Sequence, residues 1–185
     1  FRSDAIGLYR ELEEENIIIK DKEVIILGAG GASNAITYIC ADKGAAKIYL
    51  LNRTFDKAKK LADDVNSHFG DVVVPLAISD YRLIPEGKYP VIQTTSCGLY
   101  PHNDDAPIYD KEFYELVEAG VDIIFNPAKT MFMKLCKESG ARAYNGLKML
   151  LYQGIAAFEL WNDIKVPKNL ADKILGMMER KLKES

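Results

Sequence analysis

The chain has 185 residues, of which 48% are hydrophobic and 28% are charged, and its formal net charge at pH 7 is −3. This length suits one domain with a substantial hydrophobic core. Its 24 basic residues are interspersed with 27 acidic ones, so the sequence predicts no nucleic-acid partner. No apolar segment approaches the roughly 20 residues that span a bilayer, so no membrane partner is predicted.

The cysteine pattern bears on metal binding and on cellular location. Cys40, Cys97 and Cys136 are odd in number and far apart, so neither a disulfide framework nor a metal site is predicted. A reducing compartment fits this pattern, and we expect the protein to be cytoplasmic. Because the sequence begins with Phe1 inside a helical pattern, we also expect the complete protein to have residues upstream of it.

The order of the predicted elements indicates the fold class. Short β-rich segments alternate with longer helical patterns, which is typical of βαβ units and a mainly parallel sheet. Gly120 is interpreted as a loop residue. Strands are predicted at residues 23–27, 47–51, 72–76, 91–94, 122–125 and 142–144, with helices between them at 32–43, 56–68, 110–118 and 130–139. These elements predict an α/β protein with a doubly wound, mainly parallel, six-stranded sheet.

Terminal helices flank this predicted sheet. Ser3 or Asp4 is predicted to cap a first helix that ends near Asn16. After the last strand, Asn145 is predicted to cap a long helix that continues through Trp161, and another helix follows it. We expect the exposed faces of the first and last helices to be able to pair across a homodimer.

The first predicted strand leads into a glycine-rich turn and then into a helix. The turn reads Gly28-Ala29-Gly30-Gly31-Ala32-Ser33. In this context Gly28 permits a tight turn, Gly30 lets the backbone approach a pyrophosphate, and Ser33 is small where the helix packs on the strand. Backbone amides and the helix dipole would then hold the anion. The alternative is a glycine-rich turn without a ligand.

The end of the second predicted strand bears on the choice of nicotinamide cofactor. An NAD enzyme usually has a carboxylate there for the ribose 2′-hydroxyl, whereas this chain has Asn52, Arg53 and Thr54. Arg53 can pair with a 2′-phosphate and stack on the adenine, Thr54 can donate a hydroxyl, and Lys57 adds a positive charge one turn later. The sequence therefore predicts NADP(H) as the cofactor, and the alternative is an ordinary surface arginine.

Two later segments are weaker candidates for ligand contact. Thr95 and Ser96 follow the fourth predicted strand, at the carboxyl edge where ligands of open α/β sheets bind, although a plain turn explains them almost as well. On the long helix, Gly146, Met149 and Gln153 share one face because they are spaced three and four residues apart. Helix packing is the simpler explanation of that face when it is taken alone.

In combination, these segments resemble the shikimate dehydrogenase family, and the resemblance extends over essentially the whole chain. The motifs that occur in the family's order are Gly28-Ala29-Gly30-Gly31-Ala32-Ser33, Asn52-Arg53-Thr54, Thr95-Ser96 with Gly98, Asn126-Pro127 with Thr130, and Gly146-Leu147-Lys148-Met149-Leu150 with Gln153, Phe158 and Trp161. The resemblance implies reduction of 3-dehydroshikimate to shikimate with NADPH, in aromatic amino-acid biosynthesis. It also implies a Rossmann-like NADP-binding domain, joined to an amino-terminal substrate-binding domain that this chain lacks.

The resemblance also assigns roles to residues. The pyrophosphate would be contacted by Gly28, Ala29, Gly30, Gly31 and Ala32, and the 2′-phosphate end of the adenosine by Asn52, Arg53, Thr54 and Lys57. The nicotinamide half would lie along Thr95, Ser96, Ile123, Gly146 and Met149. Gln153 would contact the substrate. Asp4 would bind the substrate and act as a catalytic residue, in a pair with a lysine of the amino-terminal domain that transfers the proton.

Departures from the family pattern leave other functions open. Arg2 and Ser3 stand where the family usually has asparagine and threonine, Gln93 replaces an asparagine, and Phe125 replaces a tyrosine that reaches toward the substrate. These changes are compatible with a quinate/shikimate dehydrogenase paralogue or with a non-catalytic, NADP-binding regulatory module. A different NADP enzyme, such as a glutamyl-tRNA reductase or a methylene-tetrahydrofolate dehydrogenase, is disfavoured by residues 146–153. Asp4 as a mere helix cap is the simpler alternative for that residue.

Overall fold

The computed structural model describes the backbone of residues 2–185 and the side chains from residue 3 onward. In chain order the elements are α1 (Arg2–Glu14), β1 (Glu23–Leu27), α2 (Gly31–Asp42), β2 (Lys47–Asn52), α3 (Phe55–Phe69), β3 (Val73–Ala77), a 3₁₀ helix (Ile78–Leu83), β4 (Tyr89–Gln93), α4 (Lys111–Tyr114), β5 (Val117–Asp122), α5 (Met131–Glu138), β6 (Arg142–Tyr144), α6 (Leu147–Asn162) and α7 (Lys168–Glu184).

The strands form one six-stranded sheet in the order β3-β2-β1-β4-β5-β6. Every neighbouring pair is parallel. The chain therefore winds outward from β1 to one edge, returns to β4 beside β1, and then winds to the other edge. This topology confirms the predicted α/β class and the doubly wound, six-stranded sheet with flanking terminal helices.

The central strands are covered on both faces. Ile25, Ile26 and Leu27 of β1 are all fully buried, as are Val91 and Ile92 of β4. Continuous apolar runs of this kind are typical of parallel strands that have helices on both sides. The sheet therefore separates two hydrophobic clusters, one on each face.

The fifth strand is the main difference from the sequence prediction. It covers Val117–Asp122 instead of residues 122–125, and the helix predicted at 110–118 is the single turn Lys111–Tyr114. The interpretation of Gly120 as a loop residue is wrong. A Cβ atom at this position would lie 2.7 Å from Cys136 Sγ and 3.0 Å from Phe132 Cε1. Gly120 is thus a strand residue on which helix α5 packs so closely that no side chain fits.

The first helix begins earlier than the predicted cap. Because α1 already includes Arg2, Ser3 and Asp4 lie in its first turn, and the prediction that one of them is the N-cap is wrong. The N-cap of α6 is Gly146 and not the predicted Asn145, although the Asn145 side chain still bonds to the first turn. Asn145 Oδ1 accepts a hydrogen bond of 3.0 Å from the backbone N–H of Leu147.

Helix α1 packs directly on α6 through a glycine. A Cβ atom on Gly7 would lie 2.5 Å from the carbonyl oxygen of Met149 and 2.8 Å from the amide nitrogen of Gln153. On the core side of α1, Leu8 and Leu12 are fully buried. The two helices therefore approach backbone to backbone, which fixes the distance between α1 and α6 at Gly7.

Ionic contacts surround this helix pair. Arg10 Nη2 donates to Glu159 Oε2 at 2.7 Å, and the carboxylate of Glu159 is buried. Glu14 accepts hydrogen bonds from Tyr152 and Lys168. The carboxylates of Glu159 and Glu14 have little access to water, so loss of their partners would leave charges that are poorly solvated.

The carboxyl-terminal half of α6 leaves several large apolar side chains in solvent. Leu160 is 80% exposed and Trp161 is 82% exposed, whereas Leu151 and Ile155 pack against Ala171 of α7.

Among the described residues, no helix combines the length and the apolarity that a bilayer crossing requires.

We predict that Glu11 makes folding stability depend on pH. Glu11 lies in the α1–α6 interface, and its Oε2 has no hydrogen-bond partner within the described chain. Burial, and then the nearby Glu15 carboxylate, raise the pKa of Glu11 to about 8 from an unfolded value of 4.5. Because the raised pKa favours the neutral form, the stabilising contribution of Glu11 is present below about pH 4.5 and is lost as the pH rises through 8.

Chemical denaturation at pH 5 and pH 9 measures this effect. We expect Glu11→Gln to reduce the loss of unfolding free energy between the two pH values, because glutamine stays neutral. The exposed Glu118 supplies the matched control, and Glu118→Gln should behave like the wild type. Equal losses in Glu11→Gln and the wild type would contradict the prediction.

Candidate functional site

The carboxyl ends of β1, β4 and β5 lie side by side at one edge of the sheet. The amide of Thr94, just after β4, donates to the carbonyl of Leu27 at 2.9 Å. The amide of Ile123, just after β5, donates to the carbonyl of Gln93 at 3.1 Å. The strand order reverses between β1 and β4, and in open α/β sheets ligands bind at such a reversal. The segments that follow these three strands are therefore the candidate site.

Gly28 occupies a position that favours glycine for two reasons. Its φ is +108°, a region that residues with a side chain rarely adopt. A Cβ atom there would also lie 2.6 Å from Thr94 Oγ1 and 3.0 Å from Thr95 Cγ2. The turn after β1 is thus pressed against the turn after β4.

Gly30 and Ser33 have different roles in the same turn. Gly30 is exposed at the start of α2, and a Cβ atom on it would have no heavy atom within 4 Å. Ser33 is buried, and its hydroxyl donates to the carbonyl of Gly28 at 2.6 Å. Since nothing in the fold fills the space beside Gly30, the turn has room for an anion in front of the amino terminus of α2.

The segment after β2 presents polar groups to solvent. Arg53, Thr54 and Lys57 are exposed, and Asn52 Nδ2 donates to the carbonyl of Thr54 at 2.8 Å. Thr54 is the N-cap of α3, yet its hydroxyl makes no capping hydrogen bond. Among residues 2–185, neither Arg53 nor Lys57 forms an ion pair. Two cations and a hydroxyl are therefore free to meet a phosphate.

The segments after β4 and β5 carry the candidates for the nicotinamide half. Ser96 is exposed, while Thr95 is half-buried and its Oγ1 accepts a hydrogen bond of 3.2 Å from the amide of Cys97. Ile123 is half-buried beside Gly146, where a Cβ atom would lie 2.0 Å from the Ile123 carbonyl oxygen. The start of α6 is therefore seated directly on the end of β5.

The face of α6 that the spacing predicted is mostly a packing face. Met149 is buried in the same hydrophobic cluster that Ala29, Ala32 and Ile123 border. Gln153 is half-buried, and its backbone amide lies against Gly7 of α1. Asp4 is half-buried one helical turn before Gly7, on the same face of α1. The contact that the structure shows between this face and Gln153 is made by Gly7.

Sequence reasoning missed a buried polar pair beneath this edge. Gln93 and Asp122, the last residues of β4 and β5, are both fully buried. Asp122 Oδ2 accepts from Thr130 Oγ1 at 2.7 Å, and Asp122 Oδ1 accepts from the amide of Ile124 at 3.0 Å. Burial raises the pKa of the Asp122 carboxyl to about 7, although these hydrogen bonds favour its ionised form. The signal available in the sequence was Asp122 itself, an acidic residue at the end of an apolar segment.

Two of the residues that depart from the family pattern, Phe125 and Arg2, lie at or just beyond the ends of different elements. Phe125 is exposed, just beyond β5. The side chain of Arg2 lies outside the described residues. Among the residues that the structure describes, no group of three or more histidine, cysteine, aspartate or glutamate side chains is arranged to hold a metal ion.

Comparison with known proteins identifies the family. The family model described as "Shikimate / quinate 5-dehydrogenase" matches residues 11–79. The model described as "Shikimate 5'-dehydrogenase C-terminal domain" matches residues 146–173. These two segments together span just over half of the chain, and between them they include the glycine-rich turn, Arg53 and the Gly146–Gln153 face.

Similar proteins carry the same family name. The shikimate dehydrogenase (NADP(+)) of Carboxydothermus hydrogenoformans is 36% identical over 177 residues, which cover 96% of this chain and 62% of that protein. The shikimate dehydrogenase (NADP(+)) of Caldicellulosiruptor bescii is 39% identical over 187 residues, which cover 97% of this chain and 62% of that protein.

A solved structure agrees with these matches. Shikimate 5-dehydrogenase from Listeria monocytogenes, crystallised in complex with shikimate and NAD, is 28% identical, with a TM-score of 0.83 over 94% of this chain and 62% of that one. The chain therefore spans less than two thirds of the length of each of these proteins. Its motifs, its sheet topology and these matches agree, and the chain belongs to the shikimate/quinate 5-dehydrogenase family.

Proposed function

We propose that this chain is the NADP(H)-binding part of a shikimate dehydrogenase, an enzyme that reduces 3-dehydroshikimate to shikimate. In this proposal residues 1–185 form a Rossmann-like domain together with the linking helix α1 and the helices α6 and α7. The observation that carries the proposal is that the open glycine turn at Gly30 and the exposed Arg53 follow two neighbouring parallel strands, at the carboxyl edge of the sheet. The names of the two NADP(+)-dependent relatives support it.

The residues of the turn and of the segment after β2 fit the adenosine half of NADP(H). The pyrophosphate would lie beside Gly30, on backbone amides of residues 28–32 and at the positive end of the α2 dipole. Arg53, Thr54 and Lys57 would bind the 2′-phosphate, and Asn52 would support them through its hydrogen bond to Thr54. A carboxylate at this position would favour NAD(H) instead, and the chain has none there.

The nicotinamide half would extend toward the ends of β4 and β5. Thr95 and Ser96 would contact it from one side, and Ile123 and Gly146 from the other, with Met149 as an apolar support. When bound, NADPH supplies the hydride for the reduction. The contribution of these residues is to hold the ring in one orientation and to exclude water from it.

Asp4 and Gln153 would act on the substrate. Asp4, paired with a lysine that belongs to another part of the complete enzyme, would bind a substrate hydroxyl and help to transfer a proton to the developing alkoxide. Gln153 would orient the substrate through its side-chain amide. The close contact of Gly7, one helical turn after Asp4, with the backbone of Gln153 supports this assignment, because it packs the two helices together without a side chain between them.

The rest of the site would come from residues outside this chain. More than a third of the length of each relative lies outside the part that this chain matches, which leaves room for a substrate-binding domain. Quinate is a second candidate substrate, because the matching family model covers shikimate and quinate dehydrogenases alike. A cytoplasmic location, a homodimer and a purely regulatory NADP-binding role stay predictions.

We predict that Gly30→Ala weakens NADPH binding by about tenfold or more without lowering stability. The added methyl group meets no protein atom within 4 Å, so it costs the fold little, but it occupies the space proposed for the pyrophosphate. Calorimetric titration measures the affinity, and thermal unfolding checks the fold. Unchanged affinity would remove the pyrophosphate from this turn.

We predict that Arg53→Ala weakens NADP(H) much more than NAD(H). Charge-assisted hydrogen bonds contribute about 1.5 to 3 kcal/mol, so a loss of about tenfold to a hundredfold is expected for the phosphorylated cofactor alone. The exposed Arg180 on α7 supplies the control, since Arg180→Ala removes the same charge far from the site. Equal losses for both cofactors in calorimetric titrations would contradict the NADP assignment.

We predict that the 185-residue chain binds NADP(H) but does not reduce 3-dehydroshikimate at a useful rate by itself. Effective molarities from the positioning of reactants reach about 10⁵ to 10⁸ M, and Asp4 with Gln153 offers too few contacts to orient a small hydroxylated acid. An assay of NADPH absorbance measures turnover. Rapid substrate-dependent oxidation of NADPH by the purified chain would contradict the proposed division of the site.

A further inference from the structure

Gln93 and Asp122 connect the two segments that border the proposed nicotinamide half. Gln93 Nε2 donates to the carbonyls of Thr95 and Cys97 at 3.3 and 3.2 Å, and Gln93 Oε1 accepts from the Thr95 amide. The same Nε2 lies 3.5 Å from Asp122 Oδ1. The amide of Gln93 therefore ties the segment after β4 to the carboxylate at the end of β5.

Asp122 extends these ties to the segment after β5. Its two oxygens accept from the backbone of Ile124 and from the hydroxyl of Thr130, as described above. Thr130 Oγ1 in turn accepts from the amide of Met133 and so caps α5. One carboxylate thereby fixes the beginning and the end of the segment 123–130, which includes Ile123.

The position of this pair rules out direct contact with a ligand. Both side chains are fully buried, and their polar atoms are directed at the two segments rather than at the open edge. None of the donors to Asp122 is a cation. Burial of a carboxyl group without a cationic partner costs free energy, and hydrogen bonds from neutral donors offset this cost only in part. The geometry that the carboxylate imposes is therefore its distinctive contribution.

We propose that Gln93 and Asp122 are positioning residues that hold the segments 95–98 and 123–130 at the separation required by the nicotinamide half of the cofactor. This inference rests on the proposed function. It also gives a role to Gln93, where the family usually has asparagine. In this chain the glutamine places one amide nitrogen within reach of both the Cys97 carbonyl and the Asp122 carboxyl group.

Two ligands separate positioning of the nicotinamide from general support of the fold. NADPH reaches both halves of the proposed site, whereas 2′-phospho-ADP-ribose is the same molecule without its nicotinamide ring. For Asp122→Asn we expect the affinity for NADPH to fall about tenfold, as for the loss of one hydrogen bond, while the affinity for 2′-phospho-ADP-ribose changes less than twofold. The fluorescence of bound NADPH should also move toward that of free NADPH, since only the reduced ring emits.

Two further variants complete the experiment. Gln93→Asn shortens the side chain that carries the amide, and we expect it to lower the affinity for NADPH alone, to a smaller extent. This variant tests the proposal if Asp122→Asn does not fold. Asp64→Asn is the matched control, because exposed Asp64 also accepts a short hydroxyl hydrogen bond, 2.6 Å from Tyr38, but lies away from the site. It should leave both affinities unchanged.

The outcomes are distinct. A loss of affinity for NADPH without a loss of affinity for 2′-phospho-ADP-ribose supports the inference. Equal losses for both ligands with a lower melting temperature, or no loss in either variant, overturn it, as does a wild type that binds both ligands equally well. A wild type that binds neither ligand contradicts the proposed function itself, and the inference falls with it.

Discussion

Close approach of backbone segments at the carboxyl edge of the sheet is the constraint on which the candidate site depends. Gly28 lies against the turn after β4, and Gly146 lies against the carbonyl of Ile123 at the end of β5. Side chains at these two positions would separate the turns by the size of a methyl group or more. Such a shift would move Thr95 and Ile123 apart. The geometry of this edge therefore requires glycine, which has no side chain, at both positions.

The helices α1 and α6 extend the same principle to the other side of the site. Their contact at Gly7 is made by backbone, and partly buried ionic contacts such as Arg10 with Glu159 surround it. Apolar packing alone would permit the helices to slide past one another. Paired charges with little access to water penalise sliding, because each displaced charge loses its partner before it gains solvent. The relative position of Asp4 and Gln153 is therefore determined more strictly than the exposure of either side chain suggests.

The sequence predicted the parts of the fold that local chemistry determines. The turn Gly28–Ser33 and the polar segment 52–54 follow from neighbouring residues, and the structure has each at the end of the expected strand. The fifth strand was misplaced because Gly120 is constrained by Cys136 and Phe132, which lie in a different element. The Gln93–Asp122 pair was missed for the same reason, since its partners come together only when the sheet forms. Contacts between distant residues leave no periodic trace in a single sequence.

Trp161 is the only tryptophan of the chain, and it projects from the end of α6 with most of its surface in water. The molecule therefore carries one indole chromophore at a known place, without a second one to obscure its emission. An indole in water emits at longer wavelength than one in an apolar environment. The emission wavelength of Trp161 consequently reports whether another surface covers the end of α6. The measurement needs only dilute solution and no added label.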